Sequence, residues 1–148
     1  IVREGGQLRQ LLPGSINGEK PAFGREAAFL KEYISDDESV LMISRGDRGY
    51  YGNVLKYACW PIEALAVSPG PPAFEGDIWS VGWSEEDLSV NLGRRDHLWI
   101  YHADEAFRDQ YGNVLSGLSG PADGALYRIR QTGDGFEFIP EGVYTDTQ

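Results

Sequence analysis

Val40-Leu41-Met42-Ile43-Ser44 is a short unbroken apolar run that ends on a serine. Four consecutive apolar residues leave no side for water, the pattern of a strand covered on both faces. Such strands belong to parallel sheets with helices packed against them. The flanking sequence fits that setting. Upstream, residues 22–34 (AFGREAAFLKEYI) place Phe23, Ala27, Leu30 and Ile34 on one face of a 3.6-residue period, which predicts a helix behind Pro21. Downstream, the polar turn 45–49 (RGDRG) opens a second predicted helix, 50–60, which Pro61 closes.

The alternation continues along the chain. Residues 62–69 (IEALAVSP) read as a strand, and 69–76 as a loop by their proline and glycine content. Ser84 is a good N-cap for a short helix at 85–93: Glu85, Glu86 and Asp87 lie in its first turn, and Arg94 and Arg95 follow its end. Residues 97–103 (HLWIYHA) read as a strand, and 104–115 as a helix carrying Phe107, Tyr111, Val114 and Leu115 on one face. In 125–132, Leu126, Arg128 and Arg130 alternate with Tyr127 and Ile129, a strand with one wet face. Residues 136–140 complete a hairpin across Gly133–Gly135. The order predicts an α/β fold: a three-layer, mainly parallel sheet of about five strands with a C-terminal antiparallel hairpin. Residues 40–44, 62–68 and 97–103 are expected as parallel neighbours. Residues 1–21, with four glycines and two prolines, read as a tether or connector, and 22–148 as a single α/β domain. The pentapeptide YGNVL occurs at 51–55 and again at 111–115, both in predicted helices. The match does not extend to either side, so a shared packing preference explains it as well as duplication does.

The chain has 148 residues, enough for one buried core, and 18 aromatics argue against disorder. The net charge of −10 is uneven. Residues 1–60 carry eight acids and eight bases, whereas 61–148 carry fifteen acids and five bases. Clustered Lys and Arg are what phosphate contact needs, so nucleic acid is not an expected partner. The single cysteine, Cys59, excludes an internal disulfide and a Cys-based zinc cluster, and it reads as a small buried apolar residue. No cofactor and no metal are expected.

The strongest candidate site is the loop Arg45-Gly46-Asp47-Arg48-Gly49-Tyr50. It follows a predicted parallel strand and opens a helix, the place where open α/β sheets bind ligands. Arg45 and Arg48 are suited to an anion. The glycines serve equally in a tight turn. His97 and His102 lie five residues apart on a predicted strand and point to opposite faces, so a shared metal is not expected. His102 and Asp104 are placed to join the site from the neighbouring strand, although Asp104 also reads as a helix N-cap. Phe74, Trp79 and Trp83 form an alternative, an aromatic platform of the kind on which sugars stack; aromatics equally supply core area. No nucleophile elbow, HExxH motif or supported Cys–His pair is present, and no catalytic residue is assigned.

The succession FGREAAFLKEYISDDESVLMIS, GYYGNVLKYACWPIEALAV, DHLWIYH and LYRI with FEFIP resembles the soluble tail of polytopic GT-C-type glycosyltransferases. These are membrane enzymes similar to protein mannosyltransferases and arabinofuranosyltransferases. The resemblance covers roughly 22–140 and includes Tyr57-Ala58-Cys59-Trp60-Pro61. It implies a domain on the extracytoplasmic face of the cell membrane, attached to a membrane-embedded part of the same chain. The partner it implies is a glycan or lipid-linked sugar. The family's catalytic carboxylates lie between membrane spans, so none is carried over to this chain. A free-standing α/β enzyme acting on a small anionic substrate, and an acidic protein-interaction module, are the alternatives.

Overall fold

The computed structural model describes residues 24–44, 49–69, 75–76, 78, 80–101, 109–118, 124–133 and 135–144, with 49–51 described by their backbone. Eight elements follow one another: α1 (Gly24–Tyr33), β1 (Ser39–Ser44), α2 (Gly49–Ala58), β2 (Glu63–Val67), α3 (Glu85–Leu92), β3 (His97–Tyr101), β4 (Ala125–Thr132) and β5 (Gly135–Val143). The five strands form one mixed sheet in the order β2-β1-β3-β4-β5. β1 pairs in parallel with both β2 and β3, as the three apolar runs predict. β4 is antiparallel to β3, and β5 to β4. Parallel pairing is thus half of the sheet, and the antiparallel β4-β5 hairpin lies at one edge. Among the described residues, no helix is long and apolar enough to cross a membrane.

Strand β1 is buried at all six positions, as its unbroken run requires. Its side chains divide between two apolar clusters by the two-residue period of a strand. Leu41 and Ile43 join Leu88, Leu92, Leu98, Ile100, Tyr111 and Tyr127, the face that α3 covers. Val40 and Met42 join Ala27, Leu30, Ile34, Leu55, Cys59 and Trp99, the face that α1 and α2 cover. Three of the four residues predicted for the inner face of α1 are buried there; the fourth, Phe23, lies outside the described residues. In α2 the inner face is instead set by Leu55, with Cys59 just beyond the helix, and Tyr57 points outward, 75% exposed. Gly52 permits close packing of α2 on β2, since a Cβ there would stand 3.0 Å from the Cβ of Ala66. The Trp60–Pro61 peptide is cis.

The cap expected for α3 is present as a reciprocal pair. The Asp87 amide donates to Ser84 Oγ at 3.1 Å, and the Ser84 amide donates to Asp87 Oδ2 at 3.1 Å. Two expectations change. The helix predicted across 104–115 does not run regularly to its end: 111–117 is a series of turns, held by bonds such as Val114 N–H to the Tyr111 carbonyl, 3.1 Å, and Leu118 N–H to the Leu115 carbonyl, 2.9 Å. Tyr111 and Leu115 are nevertheless buried. The second change concerns β4, which does not have one wet face. Ala125, Leu126 and Tyr127 are buried on alternating sides, and Arg130, Gln131 and Thr132 are exposed on both. The register explains the break. β3 pairs only with Ala125–Arg128, and the Ile129 amide donates to the Asp96 carbonyl just before it at 2.9 Å, so from Arg130 onward β4 is flanked by β5 alone.

The hairpin turns tightly. Thr132 pairs with Gly135 across two residues, and Gly133 has φ +48°, a conformation that favours glycine. A register shift between Leu126 and Tyr127 marks a bulge: Tyr127 pairs with Pro140 and Leu126 with Gly142, leaving Glu141 as the extra residue. Gly142 lies directly under α1, where a Cβ would meet Phe29 Cζ at 2.9 Å and Tyr33 Cζ at 3.0 Å.

Candidate functional site

The bulge matters because of where Glu141 sits. His97, the first residue of β3, is fully buried on the face that α1 and α2 cover. Its Nδ1 lies 2.6 Å from Glu141 Oε1, and its Nε2 lies 2.9 Å from Glu38 Oε1. Arg128, the register partner of His97 on β4, closes the ring. Its guanidinium reaches Glu38 Oε2 at 3.2 Å and Glu141 Oε2 at 3.5 Å. Four residues from the β1 approach, β3, β4 and β5 are therefore joined in one polar cluster. Glu38 also accepts the Ser35 amide at 3.0 Å. The His97 hydrogen bond, the Ser35 amide and the Arg128 guanidinium hold its carboxyl down at about 2, against the opposing cost of burial.

The same end of the sheet has a second polar lock. Asp96 Oδ2 accepts the Ser39 amide at 3.0 Å, and the Asp96 amide donates to the Ser39 carbonyl at 3.2 Å. These contacts fix the start of β1 against the start of β3. No substrate reaches His97: its ring is fully enclosed and both nitrogens are engaged. The cluster therefore orders the fold.

Beside it lies a group of aromatics. Phe29 packs on Tyr33, Trp99 and Tyr144 at centroid distances of 5.1, 5.8 and 5.6 Å. Trp99 stacks on Tyr101 at 6.4 Å. The Trp99 indole nitrogen is buried without a partner among the described residues. Cys59 is fully enclosed, and burial pushes its thiol up to about 11. At the same end of α2, Tyr57 and Trp60 are exposed, with the Lys56 ammonium 5.6 Å from the Tyr57 ring centre. Lys31 donates to the Trp60 carbonyl at 2.9 Å.

The residues picked out from the sequence fall elsewhere. Arg45, Asp47, Arg48, His102, Asp104, Phe74 and Trp79 lie outside the described residues. Tyr50 lies in the first turn of α2. Trp83 is half-buried and packs against the apolar cluster under α3, and its carbonyl accepts the Tyr111 hydroxyl at 2.7 Å. The described strand ends do bear on the placement of the loops. Ser44 and Tyr101, the last residues of β1 and β3, are register partners.

Sequence reasoning missed Glu38, Arg128 and Glu141. They are 59, 31 and 44 residues from His97 along the chain. The one available signal was parity: Arg128 stands two residues from Leu126 and so shares its face. No family model matches this chain, and no curated protein or solved structure does.

Proposed function

We propose that this chain is a non-catalytic, extracytoplasmic domain of a membrane glycosyltransferase-like protein that assists recognition of a glycan or acceptor. Its ligand is anionic and binds at the carboxyl ends of β1 and β3. One observation carries the placement. The chain leaves β1 for β2 on one side and then returns to β3 on the other, so β1 and β3 flank the switch point of the sheet. Open α/β sheets bind ligands in the crevice that such a reversal leaves at the carboxyl edge. Arg45, Asp47, Arg48 and Tyr50 follow β1 there, and His102 and Asp104 follow β3. The proposal takes the sheet as the middle of three layers, since helix residues join the apolar cluster on each face. The glycosyltransferase setting rests on the sequence resemblance.

Two arginines beside one aspartate favour a sugar phosphate or a uronic acid over a neutral sugar. Each charge-assisted contact contributes about 1.5–3 kcal/mol, so losing both arginines weakens binding about a hundredfold or more. Titrating glucose 1-phosphate, glucuronate and glucose into the native protein and into Arg45→Ala/Arg48→Ala by NMR tests this. Selective binding of the two anions by the native protein alone is the expected result. Equal binding by both proteins, or shifts centred on Trp83, moves the site to the aromatic cluster and ends the proposal.

A further inference from the structure

We infer that the Glu38–His97–Glu141–Arg128 cluster is a proton-dependent clasp: with both ring nitrogens protonated, His97 holds the bulge of β5 onto the parallel core. The argument is one of donors and acceptors. An ionised carboxylate accepts hydrogen bonds and donates none. His97 has a carboxylate oxygen at hydrogen-bond distance on each ring nitrogen, at 2.9 and 2.6 Å. Only the doubly protonated ring satisfies both. In that state two positive groups, His97 and Arg128, face two negative ones, Glu38 and Glu141, and the cluster is neutral.

Every element around the ring contributes. The approach to β1 supplies Glu38, β4 supplies Arg128 and β5 supplies Glu141, while β1 presents the apolar Val40 in register with His97. When the ring gives up one proton to solvent base, one nitrogen is left with a lone pair directed at a carboxylate oxygen. The cluster then carries a net negative charge around a ring that is itself fully buried, while Glu38, Glu141 and Arg128 reach the surface in part. Glu141 is the member best able to leave, because as the extra residue of a bulge it has no partner in the strand ladder. Raising the pH therefore frees the end of β5 first, near Gly142 and Tyr144, where α1 packs.

The test uses the intact chain. Nitrogen-15 NMR of the histidine rings, with His102→Gln to assign the second histidine, reads the protonation of His97 directly. The expected result is both ring nitrogens protonated at about pH 7, with one proton lost at higher pH. Hydrogen exchange, corrected for the intrinsic base catalysis of amide exchange, reads the opening of β5. Its opening constant is expected to rise about tenfold or more between about pH 6 and about pH 9, and to rise less in Glu141→Gln. A His97 ring with one bare nitrogen at about pH 7 overturns the inference. So does an opening constant for β5 that stays unchanged over that range.

Discussion

At their amino ends, β1 and β3 are tied together by charge and hydrogen bonds: Asp96 on Ser39, and His97 between Glu38 and Glu141 with Arg128 across them. At their carboxyl ends the same two strands stop at Ser44 and Tyr101, which are register partners, and the sequence continues as Arg45-Gly46-Asp47-Arg48 after one and His102-Ala103-Asp104 after the other. One end spends its polar side chains on each other. The other is followed in sequence by Arg45, Asp47 and Arg48 and by His102 and Asp104. The contrast is between charged groups that satisfy each other and so specify the fold, and the charged groups to which the proposed function assigns a ligand.

The largest expected effect comes from the closed end. His97→Ala leaves Glu38 and Glu141 facing each other with only Arg128 between them. Breaking a buried ionic arrangement by removing one member costs about 3–5 kcal/mol. Urea unfolding should show that loss, while Arg45→Ala/Arg48→Ala shifts stability by about 0.5 kcal/mol or less. A comparable loss in both variants would erase the distinction between the two ends.

Acid titration gives the next effect. The folded carboxyl of Glu38 sits at about 2 against an ordinary 4.5, so below 4.5 the unfolded chain binds the proton more readily. Its contribution to stability is therefore complete above that value and disappears as the pH falls towards 2. Stability measured across that range should fall less steeply in Glu38→Gln than in the native chain. Parallel curves would mean that Glu38 is not held by the cluster.

The smallest effect tests the packing that supports the bulge. In Gly142→Ala the new methyl presses on Phe29 and Tyr33, and overpacking of this kind costs about 1–3 kcal/mol. Tyr33 is 38% exposed and can yield, which puts the expected loss at the lower end. The cost should appear as lower protection of β5 and α1, with the carboxyl end of β1 unaffected.

Most of the scaffold was legible because its signals are local. Val40–Ile43 announced a strand buried on both sides, Ser84 with Asp87 announced a helix start, and Gly133 announced a turn. The signals failed where a distant neighbour decides the outcome. YGNVL forms helix at 51–55, where Gly52 seats α2 on Ala66, and turns at 111–115, where Tyr111 reaches across to the Trp83 carbonyl. The same five residues obey two different tertiary settings. Likewise β4 alternates in sequence as though one face were wet, but β3 covers only its first half. The His97 cluster was illegible for a stricter reason. A histidine was seen beside His102 and Asp104, its neighbours in the chain. Its real partners arrive through strand pairing and a bulge, and neither leaves a mark in local composition.

Pro140 carries a consequence for the molecule among its own copies. Counting pairs from the hairpin turn, where Thr132 and Gly135 form the closing hydrogen-bonded pair, Pro140 opposite Tyr127 falls at a non-hydrogen-bonded position. Its ring nitrogen faces away from β4, along the outer margin of the sheet, where another strand would need a donor. A proline has none to offer. The adjacent bulge bends the same margin. The outer border of β5 is therefore a poor template for a second sheet, which protects against self-association a strand that would otherwise present a free row of amides and carbonyls.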